Sequence, residues 1–177
     1  MKRSIICMLA LQCSMTATKA QDVNPGRVTD SLRSMMLNLN PGDIGLTKAR
    51  YPFPVFALVM ETGYPEGSFT LSSVADGSTS LYFGTGGGII GGGEHENVRK
   101  ASEYLLSTAQ RFYRKARKVT TFPKPGPGNV IFYFLTFDGV RSYTAMKEAL
   151  GNGKNEFSEL FMAAHRVITE LRKLEIP

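Results

Sequence analysis

The chain has 177 residues, 21 Lys+Arg against 15 Asp+Glu, and a formal net charge of +6. That length supports one domain with a real core and excludes two comfortable ones. Hydrophobic residues at 42% and charged residues at 20% exclude a disordered or fibrous chain.

The charge is local. Residues 1–20 carry Lys2, Arg3 and Lys19 and no acid, so half of the +6 sits there. Between Glu103 and Asp138 there is no carboxylate, while Arg111, Arg114, Lys115, Arg117, Lys118 and Lys124 supply six positive charges. Outside these two stretches the chain is mildly acidic, which argues against nucleic acid as the partner.

Residues 1–20 have the order of a secretory signal. Lys2-Arg3 precede the short apolar run Ile5–Leu11, and a more polar stretch ends at the small residue Ala20. Cleavage there would leave Gln21 first and place the protein in the periplasm or outside the cell; without cleavage the expectation is cytoplasmic. The apolar run is too short to span a bilayer, and no later segment approaches the roughly 20 apolar residues a span needs. Cys7 and Cys13 both fall inside the signal, so the mature chain would hold no disulfide, no cysteine-ligated metal and no thiol nucleophile.

Residues 21–50 form a polar lead-in with one amphipathic piece, Ser31–Leu37, capped by Asp30 or Ser31 and stopped by Asn40-Pro41-Gly42. Residues 51–177 form the domain proper. Val55–Met60 is a continuous apolar run of strand length, as expected of a strand covered on both faces. Tyr64-Pro65-Glu66-Gly67 reads as a turn, and Ser68–Ser72 alternates like a half-buried strand. Asp76-Gly77 and Asp138-Gly139 are hairpin signals, because glycine tolerates the positive φ of a tight primed turn. They join Ser68–Ser72 to Thr79–Phe83, and Val130–Phe137 to Val140–Thr144.

Two helices follow from the spacing of apolar residues. Val98, Ala101, Leu105, Ala109, Phe112, Ala116 and Val119 recur at steps of three and four, as do Phe157, Leu160, Phe161, Ala164, Ile168 and Leu171. Pro123, Pro125 and Pro127 stiffen the connector between the first helix and the next strand. The expected fold is α+β: one five-stranded, mostly antiparallel sheet with two Asp-Gly hairpins, two main helices and a short N-terminal helix.

Gly84-Thr85-Gly86-Gly87-Gly88-Ile89-Ile90-Gly91-Gly92-Gly93 places seven glycines in ten positions, after a strand and before a helix. Gly86, Gly88 and Gly91 satisfy the dinucleotide spacing, but a tract this rich does so almost automatically. Glu94 and Glu96 put negative charge where a pyrophosphate would approach, and the acidic residue expected about 20 positions later is absent. No cofactor is expected. Two readings remain open: a structural passage from strand to helix, and a contact surface for a protein or small ligand formed by Gly86, Gly87, Gly88, Ile89, Ile90 and Gly91, with Glu94, His95 and Glu96 beside them.

Glu94-His95-Glu96 is the one place where carboxylates flank a histidine, which makes a hydrolase-type enzyme the competing class. The zinc-protease pattern fails because Arg99 stands where a second histidine is needed, and no metal is expected. On the first main helix, Arg111, Arg114, Lys115 and Lys118 fall opposite the apolar stripe, a basic patch suited to a polyanion or a membrane surface. His165 stands at the edge of the last helix's stripe, as a boundary residue.

The run from Ser80-Leu81-Tyr82-Phe83 through the glycines to Glu94-His95-Glu96-Asn97-Val98-Arg99 resembles a stretch of bacterial proteins with no assigned activity. The likeness extends from about Leu37 to Leu171, through Val59–Pro65 and Leu135–Gly139, and implies no site residues. The element order is also similar to profilin-like and roadblock-like modules, which implies contact-making instead of catalysis. Together these point to a small exported, non-enzymatic binding domain with its contact segment at 84–97.

Overall fold

The computed structural model describes residues 25–175; the expected signal, 1–20, lies outside them. Helix α1 spans Pro25–Leu37, starting earlier than the Ser31–Leu37 piece. The Asn40 side chain then accepts from the Gly42 N–H at 2.9 Å and opens a single 3-10 turn over Pro41–Ile44.

A meander follows: β1 (Val55–Tyr64), β2 (Gly67–Val74), β3 (Thr79–Phe83) and β4 (Gly88–Ile89). Helix α2 covers Glu96–Phe112, and β5 (Arg117–Val119) comes next. The chain continues through β6 (Asn129–Thr136), β7 (Gly139–Met146), the short α3 (Lys147–Gly151) and α4 (Ser158–Arg172). All pairings are antiparallel in one sheet of order β4-β3-β2-β1-β6-β7-β5.

The α+β class stands, but the sheet has seven strands, not five, and about four helices flank it. The two added strands are β4, two residues inside the glycine run, and β5, three residues after α2. Strands that short show no period along the sequence, so only their partners, β3 and β7, reveal them. The first main helix is also shorter than its apolar spacing suggests. It ends at Phe112 and tightens into a 3-10 turn at Tyr113–Lys115. Ala116 and Val119 keep the helical step, yet Ala116 ends that turn and Val119 belongs to β5, paired with Val140.

Both faces of the sheet are covered. On one side α2 and α4 pack over Leu58, Met60, Leu71, Phe132 and Phe134. Phe157, at the start of α4, stacks on Tyr143 with ring centres 3.6 Å apart and planes 8° from parallel. On the other side Leu37 of α1 closes over Phe56, Val59, Ile131 and Tyr133. This double cover accounts for the unbroken burial of Val55–Gly63 in β1 and for the equally buried β6. The lead-in therefore belongs to the packed structure, since it supplies the second layer. Burial of this kind contributes about 25 cal/mol per Å² of apolar surface, and removing Leu37 would uncover the centre of that face.

Gln110 of α2 settles an irregularity in β1. The β1–β6 register shifts between Val55 and Ala57. Across that break the Gln110 amide accepts from the Val55 N–H at 3.0 Å and donates to the Val55 carbonyl at 2.7 Å, acting as a one-residue strand partner.

Candidate functional site

The glycine run leaves β3, turns through Gly84–Gly87 with φ of 109° at Gly86 and 83° at Gly87, and returns as β4. Register pairs Leu81 with Ile89 and Tyr82 with Gly88. The Gly84 N–H donates to the Ser68 carbonyl at 2.6 Å, which fixes the turn beside β2. Gly92 and Gly93 are buried, whereas Gly87, Gly88 and Gly91 are exposed and Gly86 is half-buried. Ile89 packs toward the core, and Ile90 is 66% exposed. Of the expected contact residues only Ile89 packs inward, and the rest form an outer rim over the buried Gly92 and Gly93, which the expected set did not include.

Beside this rim lies an apolar groove of about 360 Å³. Phe69 and Phe83, paired across β2 and β3, form its floor with Leu81. Ile168 of α4 and Tyr64 wall it, with Tyr64 and Phe69 5.8 Å apart between ring centres. Thr85, from the glycine turn, lines it too, and Glu66 and Arg172 add one charge of each sign. Sequence spacing gives no sign of this groove, because its floor comes from alternate residues of two strands and its wall from a helix some 85 positions later.

Glu94, His95 and Glu96 are all exposed and do not share a helix face. Glu94 ends a 3-10 turn (Gly92–Glu94), His95 is extended at φ −80° and ψ 128°, and Glu96 begins α2. Glu96 is engaged by Lys100 one turn on, at 2.6 Å. The His95 ring makes no cap hydrogen bond to the helix it precedes. Among the described residues no three His, Cys, Asp or Glu side chains come together as a metal site. His165 is partly buried against Phe161, with ring centres 4.2 Å apart. Burial first, and the charge of Lys147 second, hold its pKa below the ordinary histidine value.

The four basic residues of the expected patch separate. Arg111 lies in the last turn of α2, Arg114 and Lys115 in the 3-10 turn, and Lys118 in β5. Arg111 pairs with Glu159, and Lys115 with Glu156 at 2.7 Å, acids supplied by α4 and the residues before it. Arg114 and Lys118 have no acidic partner among the described residues and join other groups around Tyr113.

No protein-family model, curated protein or solved structure matches the chain. The likeness to profilin-like and roadblock-like modules therefore rests on element order alone.

One buried polar centre escapes the sequence reading. Glu61, in the middle of β1, is fully buried and held by the Arg33 guanidinium through Nε at 2.5 Å and Nη2 at 2.8 Å. The Thr70 hydroxyl donates to the same carboxylate at 3.0 Å. Arg33 also donates to the carbonyls of Phe122 and Pro123, and the Tyr133 hydroxyl donates to the Pro123 carbonyl at 2.6 Å. Every member is satisfied and no cleft opens onto the carboxylate, so this centre fastens α1 and the proline connector to the sheet. Its one signal in the sequence is an acid within an otherwise apolar strand.

Proposed function

We propose that this chain is an exported, non-enzymatic binding domain that meets an extended apolar segment of another polypeptide through residues 84–97 and the groove beside them. The groove is the observation that carries this reading: phenylalanine and aliphatic side chains line a solvent-open cleft that Thr85 of the glycine run also lines, and Ile90, just after β4, is exposed. The two sheet edges support it by contrast. The β5 edge bears Arg117 and Lys118, charges of the kind that discourage strand addition, while β4 bears only Gly88 and Ile89. An uncharged edge beside an apolar pocket suits strand addition, in which backbone hydrogen bonds hold the segment and a pocket selects a side chain. Export is supported by Lys2-Arg3, the apolar run after them and the lack of any cysteine beyond Cys13. Among the described residues no helix is long and apolar enough to cross a membrane.

Titrating a capped peptide of alternating valine and phenylalanine into isotope-labelled protein tests the contact. Amide shifts at Phe83, Gly88, Ile89 and Ile90 are expected; no shifts, or shifts confined to β5, contradict it. Export is tested separately by the intact mass of the protein recovered outside the cytoplasm. A chain beginning at Gln21 is expected, and one still carrying Met1 overturns export without touching the groove.

A further inference from the structure

On the far side of the molecule from β4, a cleft of about 420 Å³ opens between the loop before β1, the 3-10 turn after α2 and the β6–β7 hairpin. Four cations line it, and three of them, Arg114, Lys118 and Arg141, are not paired with an acid among the described residues. Lys118 stands directly opposite Arg141 in the β5–β7 pairing, an arrangement that like charges make unfavourable. Arg114 joins them through Tyr113, its Nε donating to the Tyr113 hydroxyl at 3.1 Å. The guanidinium groups of Arg114 and Arg141 lie 5.8 and 6.0 Å from the centre of that ring. Arg141 also donates to the Ala116 carbonyl at 2.9 Å, which fixes its head at the cleft. None of the three has an acidic partner among the described residues. The one acid lining the cleft, Asp138, is engaged by Lys48 at 3.1 Å.

The walls are aromatic. Tyr113 provides one, and Phe53, 53% exposed and set edge-on against Tyr51 with ring centres 5.3 Å apart, provides another. Convergent donors beside aromatic walls in a cleft of this size fit a small molecule better than a flat surface does. A polymer would need a continuous basic track. The neighbouring cations do not extend one, because Arg111 and Lys115 are neutralised by Glu159 and Glu156 and Arg117 alternates to the other face of β5 from Lys118.

We propose that this cleft binds a small organic anion carrying one phosphoryl or carboxylate group next to a planar ring. The anion sits among Arg114, Lys118 and Arg141, where it relieves the repulsion between the last two. The ring stacks against Tyr113 or Phe53, which a face-offering planar group does at little geometric cost. The site is separate from the groove beside β4 and shares no residue with it.

Fluorescence titration with 1-naphthyl phosphate tests this, and the chain's lack of tryptophan leaves the naphthyl emission unobscured. Saturable binding at a single site is expected, weakened about tenfold or more by Lys118→Glu and by Arg114→Glu, as loss of a charge-assisted hydrogen bond requires. Arg111→Ala should leave it unchanged, and 1-naphthol and inorganic phosphate should each bind far more weakly than the combined probe. Equal affinity in the Lys118→Glu protein, or no saturable binding by wild type, overturns the site. So does tighter binding of a heparin fragment that Arg111→Ala weakens as much as Lys118→Glu does, since that would be a polyanion face.

Discussion

Arg33 grips Glu61 in a fork, 2.5 Å from Nε and 2.8 Å from Nη2, and the carboxylate it holds is completely buried at the centre of the sheet. One residue on α1 thereby answers the charge on β1, and the same guanidinium reaches the carbonyls of Phe122 and Pro123. Only arginine offers a planar set of donors that can do this at once.

Replacing Arg33 by Met should be costly, because it strands a buried carboxylate. A loss of about 3–5 kcal/mol in urea unfolding is expected, the range for breaking one side of a buried pair. The double change Arg33→Met with Glu61→Leu should recover most of it, since no charge is then left without a partner. A loss below about 1 kcal/mol in the single variant, the size of an exposed pair, would mean the fork does not hold α1 down.

Gly92 and Gly93 are adjacent and both buried, yet they should respond differently to alanine. A methyl at Gly93 would run into the backbone carbonyl of Gly77, which cannot move without breaking the Asp76-Gly77 turn. At Gly92 it would meet the tip of the Leu171 side chain, which can rotate away. Thermal or urea unfolding should show Gly93→Ala losing about 3 kcal/mol and Gly92→Ala about 1, the two ends of the range for overpacking. Equal losses would show that the tract is looser than this packing implies.

At alkaline pH the tyrosines on the α1 face should report on folding. Burial pushes both Tyr82 and Tyr133 up to about 12 from the ordinary value of 10.0, with the Glu61 charge adding to the rise and Arg33 opposing it. The folded state keeps protons that the unfolded chain releases. Their contribution to stability is therefore complete below pH 10 and is lost as pH rises from 10 toward 12. Phenolate absorbance should show Tyr82 and Tyr133 titrating late, together with unfolding, and burial raises Tyr51 as well. Titration of Tyr82 and Tyr133 near 10 in the folded protein would contradict it.

Much of the fold was legible because it lies in local pattern. The apolar runs of β1 and β6, the Asp-Gly turns and the stripes of α2 and α4 each announce themselves within about ten residues. What escaped depends on partners distant in sequence. β4 and β5 are too short to show a period and exist only by pairing with β3 and β7. Ala116 and Val119 continue a helical spacing past the point where the chain turns into a strand. The basic patch looked uncompensated because its acids, Glu156 and Glu159, arrive more than 40 residues later. Glu61 stands out in the sequence only as an acid within an apolar strand, and its partner Arg33 lies 28 residues before it.

The contact through β4 is tested most directly by the affinity of the valine–phenylalanine peptide for wild type and for Ile90→Glu. Ile90 is exposed, so the variant should melt with the wild type, and any change in affinity belongs to the surface. A weakening of about tenfold or more is expected, the effect of setting a charge against an apolar segment. Equal affinity in the two proteins, with unchanged melting, would contradict binding through this edge.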